Sequence, residues 1–270
     1  MLRSLKDLES YAVSASDGNI GSVVNFLLDD KRWVVRYLMV KTNGFFTGHE
    51  VLISPISFGQ VDWSTRELHV NLTKDKVQNS PTFEVNMPRS RDDERAYNNY
   101  FGYGHYWDRS GLWGTSAYPG DLASDAYNDK PPHVLECRSD AHLRSAKELR
   151  GYHIQGSDDA IGHVDDFIVD DATWEVRYLV VDTNNWFFGK KVLLAPQWAS
   201  RISWEEGKVY MDLSRQSISN CPQWNPEQAV NREYEVRLYD YYGRPLYWER
   251  DAPLVNPAQS RDKSSSIVQN

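Results

Sequence analysis

Chemistry in this 270-residue chain would have to come from a few kinds of side chain. Six carboxylates, Asp158, Asp159, Asp165, Asp166, Asp170 and Asp171, are of the type that hard cations take. They lack EF-hand spacing. The first pair belongs to a turn, the second to the start of a strand and the third to its end, so a strand length separates them. They are expected as solvated turn carboxylates and ion-pair partners. The seven histidines are 49, 69, 105, 133, 142, 153 and 163. His153 and His163 could converge across neighbouring strands, but no cysteine joins them at zinc-ligand spacing. No metal site or cofactor is expected. No Gly-rich phosphate loop follows a strand, and no nucleophile–His–acid pattern stands out, so no catalytic residue is assigned.

Arg36 and Arg177 each interrupt an otherwise apolar run. A guanidinium in such a strand needs a carboxylate beside it. The expected partners are Asp17 or Asp29 for Arg36, and Asp158 or Asp170 for Arg177. Two aromatic clusters follow: Tyr100, Phe101, Tyr103, Tyr106 and Trp107, then Tyr241, Tyr242, Tyr247 and Trp248. Such rings offer either a surface on which a partner stacks or a strap over an open sheet edge or barrel mouth. Rings exposed this densely would promote aggregation, which favours the strap. Together with Asp165 and Asp166, these rings are the candidate interaction surface.

The arrangement recurs because the chain is duplicated. At a constant offset that sets Ser4 on Ser145 and Arg109 on Arg250, positions 4–109 match positions 145–250 at 36 of 106 places without a gap. The most similar stretches centre on Trp33 and Trp174, each followed by Val, Arg, Tyr, Leu and Val. The aromatic straps belong to the repeating unit.

Period-two alternation dominates the barrel-forming part of each copy. Trp174, Val176, Tyr178 and Val180 share one strand face, with Arg177 on the other. Asp17-Gly18-Asn19, Asn43-Gly44 and Asp158-Asp159 are turn formers. Short strands at this spacing close most economically into a small, partly closed barrel. The spacing of Val230, Tyr234, Leu238 and Tyr241 predicts a helix starting at Asn225-Pro226 and ending at Gly243. The first copy predicts a shorter helix, from about Ser90 to Tyr100. The chain thus divides into barrel one (1–84), helix and strap one (85–110), a connector (111–141) that is laid down on a barrel for part of its length, barrel two (142–224), helix and strap two (225–251) and a polar tail (252–270). The fold class is mainly β: two tandem small barrels, packed about an approximate two-fold axis, each followed by a helix and an aromatic strap.

With 40% hydrophobic and 13% aromatic residues, the chain can build real cores, while its net charge of −8 argues against a nucleic-acid surface. No apolar run reaches membrane-helix length and no signal-peptide core is present. A cytoplasmic location without direct membrane insertion is therefore expected. Cys137 and Cys221 are not at equivalent places and are expected as free thiols. The second copy is the more acidic, with Asp159, Asp165 and Asp166 where the first has Gly18, Val24 and Asn25. These acids are expected to face solvent or a basic partner.

An acidic turn, Ile-Gly-x-Val (Ile20-Gly21, Ile161-Gly162), a strand ending in Asp-Asp, Trp-x-Val-Arg-Tyr-Leu-x-Val, a Gly-x-x-Val-Leu step and Pro55 or Pro196 run through both copies. In this pattern the chain resembles the PRC-barrel family, related to the cytoplasmic domain of the photosynthetic reaction centre H subunit and to the C-terminal domain of a ribosome-maturation factor. The resemblance implies a docking, assembly or regulatory module acting on a protein partner, without catalysis; a homodimer is a further option. The alternative is a sensor holding a small molecule or metal between the barrels or under a strap.

Overall fold

The computed structural model describes residues 1–43, 49–81, 90–124, 142–183 and 190–250. Gly44, Cys137, His133, most of the connector and the polar end from 252 lie outside these residues. Residues 1–230 form one compact unit and residues 231–270 another.

The first unit holds two mixed seven-stranded sheets. Sheet one contains β2 (Ala12–Ala15), β3 (Gly18–Asp29), β4 (Val34–Thr42), β5 (Glu50–Ile53), β6 (Phe58–Asp62) and β7 (Glu67–Val70), in the order β5-β4-β3-β2-β7-β6. Sheet two contains β9 (His153–Gln155), β10 (Ala160–Asp170), β11 (Val176–Asp182), β12 (Lys191–Leu194), β13 (Ala199–Ser203) and β14 (Lys208–Met211), in the equivalent order. Most neighbours are antiparallel; β7 on β2 and β14 on β9 are parallel. Gly21 and Gly162 of the Ile-Gly-x-Val step are needed where β3 passes β4 and β10 passes β11. A Cβ there would lie 2.0 Å from the carbonyl oxygen of Lys41 or Asp182. In β4 every residue except Lys41 is buried, and in β11 all are. The central strands are thus covered on both faces, where the alternation suggested one open face.

The seventh strand of each sheet comes from the other copy. β1 (Leu2–Ser4) pairs with β10, Leu2 opposite Asp170 and Ser4 opposite Ile168. β8 (Leu143–Ser145) pairs with β3, Leu143 opposite Asp29 and Ser145 opposite Leu27. The two registers coincide when one copy is laid on the other. Each arm runs on into a single helical turn, α1 (Leu5–Leu8) and α5 (Ala146–Leu149), before the chain returns to its own sheet.

The sheets also meet at their centres. Trp33 and Trp174 both have left-handed backbone, φ 55° and 60°, a conformation costing about 1 kcal/mol for a residue with a side chain. It turns each carbonyl toward the opposite sheet. Trp174 O accepts Val35 N–H at 2.8 Å, and Trp33 O accepts Val176 N–H at 2.7 Å. Val34 bridges Glu175, its own equivalent. Glu9 and Arg150, also equivalent positions, form an ion pair at 2.6 Å. Equivalent residues touch each other only where a two-fold relation brings them together.

Short helices α2 (Lys74–Gln78) and α6 (Arg215–Ser219) close each copy, and α3 (Arg91–Phe101) and α4 (Asp121–Ser124) follow the first. Ser90 caps α3 with a reciprocal capping box to Asp93. In the second unit, α7 (Arg232–Tyr242) precedes α8 (Tyr247–Arg250). Helix α7 begins later than predicted. Asn225 accepts Glu227 N–H at 3.0 Å in an isolated turn, and Asn231, equivalent to Ser90, is the actual cap, accepting Tyr234 N–H at 2.9 Å. No described helix is long and apolar enough to cross a membrane.

Candidate functional site

A group of mutually bonded, buried polar side chains lies under the first strap. Arg36, fully buried on β4, donates from Nη2 and Nε to Asp29 Oδ2 at 3.0 and 3.3 Å and from Nη1 to Leu112 O at 2.7 Å. Its guanidinium carbon lies 3.6 Å from the ring centre of Tyr106 and 4.6 Å from that of Trp113. The face of β4 that carries the arginine is therefore roofed by the strap and the start of the connector. Asp29 Oδ1 also accepts Lys31 and Arg32 N–H groups at 3.0 and 3.2 Å. Burial pushes its carboxyl up, but the Arg36 charge and these hydrogen bonds outweigh that and hold it below the usual carboxylate range.

Helix α3 adds Glu94 and Arg91. Glu94 Oε1 lies 3.0 Å from His142 Nε2 and 3.2 Å from Arg91 Nη1; Oε2 accepts from Tyr106 and, at 3.3 Å, from Tyr37. Tyr106 OH lies 3.1 Å from His142 Nε2 and accepts from Arg91 at 3.0 Å. Tyr97 from the same helix donates to Leu52 O at 3.2 Å and accepts Ser54 N–H at 3.1 Å. Burial raises Tyr37, Tyr97 and Tyr106 well above the ordinary tyrosine range, and Tyr103 to about 12. These groups bond one another, so the cluster pins the strap and the β8 arm to sheet one.

The second unit repeats the outer part of this arrangement. Arg232 lies 3.1 Å from Glu235, Tyr247 OH donates to Glu235 at 2.9 Å, and Arg232 sits 3.9 Å over Trp248. In the first copy Arg91 sits 4.6 Å over Trp107. Sequence reasoning missed Arg91, Glu94, Arg232 and Glu235. Identity of an i,i+3 Arg–Glu pair in both copies, each ahead of a Tyr-Trp step, was the signal available.

The expected ion pairs divide. Arg36 takes Asp29. In the second copy, among the described residues, Arg177 pairs with Glu175 at 2.8 Å and not with Asp170 or Asp158, and Asp170 accepts Ala172 N–H at 2.9 Å. Glu175 replaces Val34 two residues before the arginine, on the same strand face, and so lies closer than a residue across the turn. Asp17 and Asp158 are helix anchors instead, accepting Lys74 and Arg215 N–H groups at 2.8 and 2.7 Å.

Asp165 and Asp166 lie in the middle of β10 and are committed inside the chain. Asp165 bridges Lys6 and Lys191, at 2.5 and 2.8 Å. Asp166 is buried, accepts Lys6 N–H at 3.1 Å and takes the Ser4 hydroxyl. In the first copy Asn25 accepts Lys147 N–H at 3.2 Å and donates from Nδ2 to Ser145 Oγ at 2.8 Å. Their acidity thus has a packing cause, and neither is the partner-facing residue the charge difference suggested. Beside this latch lies a cavity of about 340 Å³ edged by Arg3, Lys6, Asp166, Lys191 and Trp224.

Of the strap rings, Phe101, Tyr103, Tyr106 and Tyr247 are buried, and Trp107, Tyr242 and Trp248 are half-buried. Tyr100 and Tyr241, equivalent positions, are 38% and 41% exposed. Cys221 is buried, and its thiol donates to Pro222 O at 3.7 Å. Among the described residues, no group of three or more His, Cys, Asp or Glu is arranged around a metal position.

Residues 142–216 match the family model of the PRC-barrel domain. A 96-residue stretch is 32% identical to an uncharacterised protein of Deinococcus radiodurans; it makes up 35% of this chain and 33% of that protein. The chain therefore spans about a third of that curated relative.

Proposed function

We propose that this chain, which carries a PRC-barrel domain at residues 142–216, is a non-catalytic docking or assembly module acting through protein–protein contacts. The family match is the observation that carries this reading, because domains of this kind serve chiefly as interaction modules. The buried cluster agrees with it: Glu94, His142, Tyr106 and Arg36 are engaged with one another by hydrogen bonds, an ion pair and ring contact. Positions 1–75, which the constant offset lays on 142–216, are the second domain of the same kind. Each sheet wraps its core as a small, partly closed barrel.

The docking points are Tyr100 and Tyr241. They occupy the same place in α3 and α7, and both remain more than a third exposed while most of the surrounding rings are covered. Tyrosine is a favoured anchor because a large, stiff ring buries much area at low entropic loss. The test compares the full chain with its Tyr100→Ser/Tyr241→Ser variant as bait in lysate of the native cell. Loss of the same captured protein from the variant supports the reading. A capture pattern that the double substitution leaves unchanged overturns the assignment of the surface.

A further inference from the structure

We propose that His153 and His163 form a two-histidine site for a divalent cation of the zinc, copper and nickel class. His163 on β10 stands directly opposite His153 on β9. One residue along, Val164 N–H donates to Tyr152 O at 2.9 Å and Gly151 N–H to Val164 O at 2.7 Å. The ladder bonds fall at that level, which makes the histidine level a non-hydrogen-bonded pair. Such pairs bring the two Cβ atoms closest, about 4.5–5.5 Å apart. Two imidazoles standing from Cβ atoms at that spacing reach a common cation at about 2.0–2.1 Å from each nitrogen.

Both rings are free for it. His153 is exposed and His163 half-buried, and among the described residues neither ring takes part in a hydrogen bond or ion pair. On the other side of His163 stands Asp182, which adds negative charge to the row without being a third ligand. Lys191 and Lys208 end the row; Lys191 is bound to Asp165, and Lys208 lies 3.9 Å from Glu206. The first copy carries Ala12, Ser22 and Lys41 at the positions of His153, His163 and Asp182. Both ligands and the adjacent carboxylate are thus peculiar to the second copy, and folding of this sheet pattern does not require them. Imidazole ligands select zinc, copper and nickel over calcium and magnesium. The remaining coordination positions are left to water or to an incoming donor.

The test uses the full chain with Zn2+ or Cu2+ alone in a non-chelating buffer. Calorimetry should give one saturable site per chain. The Cu2+ complex should show hyperfine coupling to two imidazole nitrogens in its electron paramagnetic resonance spectrum. His153→Ala and His163→Ser install the residues the first copy already tolerates, so folding should persist, as circular dichroism will show. Each should weaken binding at least tenfold and remove one nitrogen from the spectrum, while His69→Ala and His105→Ala leave both unchanged. Absence of saturable binding, binding that survives either His153→Ala or His163→Ser, or coupling to a single nitrogen overturns the proposal.

Discussion

Asp166 and Asp29 show how one residue type acquires opposite character from its surroundings. Asp29 has a guanidinium beside it and sits below the ordinary carboxylate range. Asp166 is buried with hydroxyl and N–H partners only. Burial raises its carboxyl above the ordinary value, against the pull of Ser4, Phe167 N–H, Lys6 N–H and the more distant Arg150. A carboxyl raised on folding favours the native state only at pH below its unfolded value, near 3.9, and that benefit is lost as the pH rises through the folded value. At neutral pH the charged Asp166 therefore opposes folding. Asp166→Asn, the residue Asn25 supplies in the first copy, should stabilise the chain at pH 7 by roughly 1 kcal/mol. The gain should vanish below about pH 4, where Asp166 itself is neutral. Urea unfolding of both proteins across that range measures it; an unchanged difference at all pH values would show that the carboxylate's charge is not the cause.

At the scale of elements, the arms matter more than their length suggests. Three residues of β1 complete the ladder on β10, and α1 delivers Lys6 N–H to Asp166 and Lys6 Nζ to Asp165. Arg3 adds an ion pair to Asp171 at 3.2 Å and lies 4.0 Å over Trp63 of the first copy; Arg144 does the same with Asp30 and Trp204. A chain lacking residues 1–4 should thus expose the sheet to which the arm is bound, not the sheet that follows it in sequence. Hydrogen exchange read by mass spectrometry should show Ile168–Asp170 losing protection ~10-fold or more, while Leu27–Asp29, covered by β8, keep theirs. Equal loss in both sheets would mean that the arms act through global stability alone.

At the scale of the whole first unit, equivalent positions meet across the two-fold relation, and a residue there confronts its own counterpart. Identical charges would repel; the chain has Glu9 opposite Arg150. The pair favours first half on second half over either half on its own kind. Its side chains are 24% and 16% exposed, so its contribution is moderate. Glu9→Arg or Arg150→Glu alone should each destabilise by about 1 kcal/mol, and the combined exchange should restore most of that loss. A double-mutant cycle from chemical denaturation reads the coupling. Strictly additive losses would show that the two side chains do not sense each other in solution.

The sequence by itself determined the local and periodic features. The constant offset between the copies, the strand class, the turns, the helix at Ser90 and the need of Arg36 for a carboxylate from its own copy follow from residue type and spacing, because neighbours in sequence supply the geometry; the structure chose Asp29 over Asp17. The strap could be read as a cover from its ring density alone, since so many rings cannot all face water. Tertiary structure decided the rest. Neither the exchanged arms nor the left-handed Trp33 and Trp174 leave a periodic mark, because strands as short as Leu2–Ser4 carry too little pattern to name a partner in the other half of the chain. Glu94, Arg91 and His142 come from a helix and the start of the second copy, and only packing brings them onto Tyr106. The acidity of Asp165 and Asp166 suggested a surface, but the arm that covers them makes it an interior latch. His153 and His163 became a pair only when the register of β9 on β10 set them level, since a slip of one residue would have put them on opposite faces.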